Sequence, residues 1–571
     1  MKYLIIGAVA GGASTAARLR RMDEKARIII FERGGYISYA NCGLPYYIGD
    51  VIQDRNKLFV QTAASFQQRF NIEARVRTEV TAIDRVRKVV YARDCETGRE
   101  YEESYDKLVL SPGAAPFRPA LPGIQHEGIF TIRNVHDTDA MKAYIQHRQV
   151  RRSVVIGAGF IGVEMAENLH RLGVKVTIVE MAPQILPPLD PPAAAILQQH
   201  VRSKGVELIL GSTVTGFEKE SGGLKVSILN SEPVEADLVV LSVGVKPEVE
   251  LAAKAGLKVG EAKGIVVNEH LQTSDPDIYA VGDAIEFTHP ITGKSCATYL
   301  AGPANKQGRI CANNIVFGNV QKFNGSIGTA IVKVFDMTAG VTGLSSKVLQ
   351  KEHIAHLVSI THSGSHAGYY PGSKQMSVQL AFSPSSGRIL GAQVVGYEGV
   401  DKRLDVVSAL IQKEGSIYDL MEFEHSYAPP FSSAKDPLNM AGFVAENILT
   451  GRLRIIHGDA LPVDDPMTLT VDVRTPAEFS RGNIPGAINI PLDDLRARMN
   501  ELPKDRRIII YCQIGLRGYL AQRILLQSGF ENVHNLSGGY YLWKICADEA
   551  TLYHGGEGRV SPCISTRGAF A

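Results

Sequence analysis

Cysteine is scarce. The chain holds seven in 571 residues, widely spaced. No two stand at metal-ligand spacing, which argues against a zinc site or a disulfide framework, and no metal ligand set is expected. Long apolar runs are also missing. No stretch approaches the ~20 consecutive apolar residues of a membrane-spanning helix. Neither sign of charge dominates. Lys and Arg number 61 against 59 Asp and Glu, a net charge of +2, which gives no sign of a nucleic-acid or acidic partner. The opening Met1-Lys2-Tyr3-Leu4-Ile5-Ile6-Gly7-Ala8-Val9-Ala10 can pass for the apolar core of a signal peptide. It also makes a complete strand-and-glycine motif that cleavage would destroy, so a cytoplasmic location is expected. In that reducing compartment a lone cysteine reads as reactive rather than structural. The chain is too long for one hydrophobic core, so three or four domains are expected.

Two nucleotide-binding βαβ patterns are present. In the first, Tyr3–Ile6 reads as a buried strand, Gly7, Gly11 and Gly12 as the turn, and Ala13–Met22 as the helix. The glycine motif is imperfect, with Val9 at its middle position. Glu32 follows the last glycine by about 20 residues, where a carboxylate can hold ribose hydroxyls. The second pattern is complete: Ser153–Ile156, then Gly157-Ala158-Gly159-Phe160-Ile161-Gly162, then a strand ending in Glu180. Two such folds imply two dinucleotides, each with its pyrophosphate on a helix N-terminus. Glu180 suits the free hydroxyls of NADH and would repel a 2′-phosphate; Met181 and Ala182 offer no cation to hold one. Two shorter strands end in small-residue turns, Ser111-Pro112-Gly113-Ala114 and Gly282-Asp283-Ala284. They split the first nucleotide fold around the second, and Asp283 is well placed to meet a flavin ribityl chain.

Cys42 follows the first nucleotide unit, in Ser38-Tyr39-Ala40-Asn41-Cys42-Gly43-Leu44-Pro45-Tyr46-Tyr47. Gly43 and the run behind it read as a helix start, whose dipole is expected to lower the thiol pKa. Near the other end, His457-Gly458-Asp459-Ala460-Leu461-Pro462 marks a boundary. The strand Ile508–Tyr511 then runs into Cys512-Gln513-Ile514-Gly515-Leu516-Arg517-Gly518 and a helix. Successive N–H groups of such a loop can curl around the sulfur anion, with Arg517 closing it. The tail beyond Tyr553 is glycine-rich and holds Cys563.

These motifs carry a resemblance. On Asn41–Tyr46 and Tyr427-Ala428-Pro429-Pro430-Phe431-Ser432, residues 1–450 resemble the two-dinucleotide flavin disulfide reductases, within them the coenzyme A-disulfide reductase branch. The stretch around Cys512 resembles a single rhodanese domain, with Asn483 replacing the usual histidine. The resemblance implies an α/β architecture. An FAD-binding domain spans 1–112 and 270–322, and an NAD(P)H-binding domain spans 113–269. An α+β dimerisation domain (323–450), a linker (451–465), a rhodanese domain (466–553) and a tail (554–571) follow. It places FAD against Gly7, Gly11, Gly12, Glu32, Arg33, Asn41, Ser111, Gly113, Ala114, Arg133, Gly282 and Asp283. NAD(P)H, with NADH favoured, falls to Gly157, Gly159, Gly162, Glu180 and Gly244. Coenzyme A falls to Arg18, Arg21, Ser38 and Asn41. Phe70 stands where some relatives carry a lysine for the coenzyme's phosphates, and Arg69 is the available substitute.

The resemblance also implies a homodimer in which Tyr427 and Tyr369 (or Tyr370) reach the partner's sulfur site. Many flavin disulfide reductases carry a second cysteine at the position of Tyr47. Without it, Cys42 must bond a small-molecule thiol, a sulfane sulfur or an oxygen. The expected activity is NAD(P)H-dependent reduction of coenzyme A persulfide, polysulfide or coenzyme A disulfide, with Cys512 delivering sulfane sulfur. The rivals are an NADH oxidase or peroxidase cycling through a sulfenic acid, and a flavoprotein sulfur carrier or redox sensor. Oxidases of that group carry a histidine where this chain has Ala10, which counts against the first.

Overall fold

The structure is a computed structural model describing residues 1–220, 222–462 and 465–553. Cys563 and the rest of the tail lie outside the described residues. The chain divides into two compact units. One comprises Met1–Val179 and Thr213–Gly328, and the other Glu180–Ser212 with the chain from Thr329 onward. No helix among the described residues is long and apolar enough to cross a membrane.

The first unit is built on parallel sheets. Strands lie in the order Ile278–Ala280, Lys107–Leu110, Lys2–Ile6, Arg27–Glu32, Glu73–Val76. Leu4, Ile5, Ile29, Ile30, Leu108 and Val109 are buried on both faces, as the near-continuous apolar runs of a parallel sheet require. A second parallel sheet sets Arg152–Ile156 between Lys175–Glu180 and Leu238–Leu241. The expected pair of nucleotide folds is thus present. One boundary differs from expectation: the first helix runs Ala10–Met22, so Gly11 and Gly12 belong to the helix rather than the turn. The reason is close packing. A Cβ on Gly12 would lie 1.9 Å from the Gly7 carbonyl oxygen, and one on Gly162 2.0 Å from that of Gly157. Only glycine lets these helices begin so close to their strands.

The second unit contains a five-stranded antiparallel sheet in the order Ala330–Val334, Met337–Gly343, Ile389–Gly396, Gln375–Phe382, Leu357–Gly364. It also contains a parallel sheet in the order Ile455–Ile456, Val533–Leu536, Arg507–Tyr511, Thr468–Asp472, Ile488–Asn489. Ile508 and Ile510 face one apolar layer, together with Cys512, while Ile509 and Tyr511 face the other. That period of two places Cys512 at the end of a buried row.

Asp190, 1% exposed, binds the Glu180–Ser212 segment into this unit. Its carboxylate accepts from Gln379 Nε2 (2.6 Å), Gln393 Nε2 (2.5 Å) and the N–H groups of Ser346 (2.9 Å) and Lys347 (3.1 Å). Removing one partner from such a buried set leaves the others unpaired. Asp190→Ala is expected to destabilise this unit by roughly 3 kcal/mol, read as a urea transition moved to lower concentration. An unmoved transition would mean that the four donors find other acceptors.

Candidate active sites

Where the strand Lys2–Ile6 turns into its helix, a cavity of about 630 Å³ opens. Gly7, Gly11, Glu32, Arg33, Asn41, Cys42, Ser111, Gly113, Arg133, Gly282 and Asp283 line it. A second cavity, of about 360 Å³, shares Gly7, Glu32, Arg33 and Pro112 with it and continues past Glu79, Val80 and Thr81. Together they form a trough suited to an elongated dinucleotide. Both Glu32 carboxylate oxygens are already engaged by backbone, accepting from Ala8 N–H (3.1 Å) and Gly34 N–H (2.8 Å). Gly282 N–H donates to Gln307 Oε1 at 2.7 Å and fixes the turn that presents Asp283. Arg33 pairs with Glu248 at 2.6 Å, and Arg133 donates to the Pro112 carbonyl at 3.3 Å. Ala114 lies behind the trough, paired with Pro247 on a short antiparallel ladder. The glycine cradle and its polar rim therefore fit a flavin dinucleotide.

Cys42 is exposed on the trough wall, in a single 3-10 turn, Asn41–Gly43, ahead of the short helix Leu44–Ile48. The expected drop in its pKa is corrected here. Desolvation by the surrounding walls, and then the carboxylates of Glu164 and Asp283, push the thiol above its ordinary value. One brief turn does not offset them. Glu164 comes from the helix Phe160–Arg171 behind the second glycine motif and accepts from the Tyr46 hydroxyl at 3.1 Å. Burial pushes its own carboxyl up as well. Tyr47 packs under the Lys142 ammonium, 4.1 Å from the ring centre. Ser38 holds a left-handed backbone, with φ +45°. Its N–H donates to the Ala8 carbonyl at 2.8 Å, and its carbonyl accepts from Val60 at 2.9 Å.

Arg18 and Arg21 lie on the first helix. Arg18 donates to Asn313 at 2.9 Å, and desolvation, then the charges of Arg309 and Arg21, push its pKa down. Arg309 is thus a third cation at this spot, and no sequence pattern links it to the other two. Phe70 packs edge-on against Phe66, with ring centres 5.4 Å apart, and on the core, so its side chain is committed to packing.

At the second glycine motif, Gly157 N–H donates to the Val179 carbonyl at 2.8 Å, and Gly159 precedes the helix. Glu180 ends its strand and accepts from Ala182 N–H at 2.8 Å. The Gly244 carbonyl accepts from Phe117 N–H at 2.9 Å.

In the second unit Cys512 is buried at the end of its strand, and Gly515 N–H donates to its sulfur at 3.1 Å. Arg517 does not stand alone. Glu478 grips it through two oxygens at 2.7 and 2.6 Å, and this pairing holds the Glu478 carboxyl at about 2. Asn483 donates to the Phe479 carbonyl at 3.3 Å. Ile514 and Leu516 stand exposed on the loop. Elsewhere in this unit, Tyr369 and Tyr427 are exposed and their hydroxyls meet at 2.9 Å. Tyr370 is also exposed, with its ring against His366 instead. Among the described residues no cluster could hold a metal ion.

The family model for pyridine nucleotide-disulphide oxidoreductases matches residues 1–308. The chain belongs to that family. The dimerisation-domain model of the same oxidoreductases matches 329–437, and the rhodanese-like domain model matches 460–546. Two solved structures are similar to this oxidoreductase over nearly its whole length. The reduced CoADR-RHD of Bacillus anthracis has 46% identity and a TM-score of 0.93, covering 95% of this chain and 98% of that one. The NAD-dependent persulfide reductase from A. fulgidus has 38% identity and a TM-score of 0.90, covering 95% and 100%. Among curated relatives, the coenzyme A disulfide reductase of Staphylococcus aureus is 34% identical, covering 78% of this chain and 100% of the relative. The NADH oxidase of Methanocaldococcus jannaschii is 35% identical, covering 77% and 98%. The oxidoreductase is therefore a flavin- and NAD(P)H-dependent enzyme of the disulfide-reductase type, carrying a rhodanese domain.

Since Glu164 opposes the Cys42 thiolate, Glu164→Gln is expected to lower the thiol pKa. Iodoacetamide alkylation of Cys42 in the reduced protein at pH 8 should then quicken severalfold. An unchanged rate, followed by peptide mass spectrometry, would mean that desolvation and Asp283 govern the thiol without Glu164.

Proposed function

We propose that the enzyme reduces coenzyme A persulfide, polysulfide or coenzyme A disulfide at Cys42, with sulfane sulfur delivered by Cys512. The observation that carries this reading is a single thiol on the trough wall, with Tyr47 in place of a second cysteine, in a chain that also builds a sulfur-holding loop around Cys512. When bound, FAD supplies the route by which the two electrons of NAD(P)H reach a disulfide. Gly7, Gly12, Ser111, Gly282 and Asp283 would hold it, and Gly157, Gly159 and Glu180 would hold the nicotinamide dinucleotide.

The Cys42 thiolate attacks the inner sulfur of a coenzyme A persulfide. The S–S bond breaks, sulfide leaves, and a mixed disulfide joins Cys42 to the coenzyme. Two electrons and a proton then return the Cys42 thiolate and free coenzyme A thiol. With coenzyme A disulfide the leaving group is the coenzyme thiolate instead. Exchange of this kind is governed by thiolate character and leaving-group pKa. Arg18, Arg21 and Arg309 offer the charge to hold the coenzyme's phosphates. The dimerisation-domain match supports a homodimer, in which a second copy of the chain would bring its Tyr369 and Tyr427 to the sulfur. The oxidase reading is disfavoured by Ala10, which offers no proton donor beside Cys42.

The loop after Cys512 presents Gln513, Ile514, Gly515 and Leu516, without charge, and the Arg517 cation is already paired with Glu478. Such a mouth does not offset the desolvation of thiosulfate's two charges. It suits sulfane sulfur on an organic thiol or a polysulfide chain.

The decisive experiment follows NADH oxidation and sulfide release with coenzyme A disulfide, coenzyme A persulfide, polysulfide, peroxide and oxygen in parallel. Cys42→Ser is expected to keep FAD and lose nearly all turnover. Cys512→Ser should slow polysulfide reduction while sparing coenzyme A disulfide. Normal turnover without Cys42, or peroxide as the best substrate, would end this reading. Equal loss of both activities in Cys512→Ser would mean that the two thiols act as one relay.

For the nicotinamide, kcat/KM is expected to favour NADH. Glu180→Ala should narrow that preference by about tenfold, the effect of roughly 1.4 kcal/mol of lost discrimination. Faster turnover with NADPH would mean that cations other than those beside Glu180 set the choice.

A further inference from the structure

Tyr369 and Tyr427 meet hydroxyl to hydroxyl although they come from different loops, 58 residues apart. Their side chains are 76% and 47% exposed, so packing does little to aim them. The alignment has to come from the backbones of the two loops. One buried group ties those backbones together. Arg403, 2% exposed, lies on the helix Val400–Gln412. Its Nη2 donates to the Ser365 carbonyl (3.0 Å), which begins the Tyr369 loop. The same nitrogen donates to Ser432 Oγ (3.3 Å) and Asp436 Oδ2 (2.8 Å), which end the Tyr427 loop. Ser432 Oγ donates in turn to Asp436 at 2.6 Å. The Ser432 carbonyl accepts from Ala367 N–H at 3.1 Å, a direct tie between the two loops.

We propose that the Arg403–Asp436 pair is a positioning device that sets the tyrosine pair, touching no substrate itself. The physical case is geometric. A guanidinium forks, so one side chain reaches acceptors on both loops at fixed angles. A lysine cannot bridge Ser365 and Asp436 in this way, so the tie between the two loops loosens while Asp436 keeps its bonds from Ser432 and Leu438. The inference rests on the reading above, in which the tyrosines serve the sulfur chemistry.

A double-mutant cycle in the full-length FAD enzyme tests it, with NADH and coenzyme A disulfide as the probes. Arg403→Lys is expected to lower kcat roughly ten- to a hundredfold, the scale of a misplaced reacting group. KM for NADH and the flavin absorbance should stay as in the wild type. Tyr427→Phe is expected to lower kcat as well. Adding Arg403→Lys to Tyr427→Phe should then cost less than about twofold, because groups acting as one unit are not additive. The same fold-loss in both backgrounds overturns the positioning role. Full turnover in Tyr427→Phe overturns instead the reading of the tyrosines on which it rests. If Arg403→Lys fails to fold, Arg403→Met with Asp436→Leu replaces the buried pair by apolar side chains that such sites commonly tolerate. That variant runs through the same cycle with the same expectation.

Discussion

Where a parallel strand runs into a helix, the first N–H groups of the helix have no partner within it. Both proposed dinucleotide sites and the Cys512 loop lie at that vacancy. The strand Lys2–Ile6 leads through Gly7 to the helix Ala10–Met22. Arg152–Ile156 leads through Gly157 to Phe160–Arg171. Arg507–Tyr511 leads through Cys512 to Leu516–Gln527. In the first two turns, glycines bring the helix within contact of the strand and leave its N–H groups facing open space, which suits a pyrophosphate. In the third, the thiol itself occupies the turn, and the N–H of Gly515 is spent on sulfur. The same backbone device would hold a ligand in two places and holds a thiol in the third.

The sites differ in how their charge is balanced. At Cys42 the surroundings oppose the thiolate, because carboxylates from Glu164 and Asp283 add to desolvation. At Cys512 the loop's cation is cancelled before any substrate arrives, since Glu478 grips Arg517 at two points. One thiol is held back and the other is shielded from anions. In the function proposed above, this contrast would separate the thiol that meets the flavin's electrons from the thiol that meets the sulfur donor.

Much of this was legible in the sequence where spacing is short. The glycine turns, the terminal carboxylates Glu32 and Glu180, and the strand into Cys512 all lie within local windows whose periodicity specifies them. The two nucleotide folds and the rhodanese sheet followed from these. Local pattern alone starts the first helix at Ala13, three residues late, because a glycine reads as a breaker unless the carbonyl 1.9 Å from its missing Cβ is known. The direction of the Cys42 shift escapes local pattern for a related reason. Its helix start is local, whereas Glu164 arrives from a different nucleotide fold. Arg309, Arg403 and Asp436 carry no motif, and the Thr475-x-x-Glu478 capping box gives no sign that Glu478 also grips Arg517. Each acts through a partner far away in the chain, such as the 39 residues that separate Glu478 from Arg517.

The buried carboxylate of Asp190 has a consequence for how the protein is made. Its partner Gln393 follows it by 203 residues. At a synthesis rate of roughly 5–20 residues per second, that partner leaves the ribosome about 10–40 seconds later. Throughout that interval the Asp190 carboxylate lacks its native donors and stays in water. The nucleotide motif just before it has by then received all of its own strands up to Glu180. Until then the helix Pro191–Ser203 has no antiparallel sheet to pack on, since the first strand of that sheet begins only at Ala330.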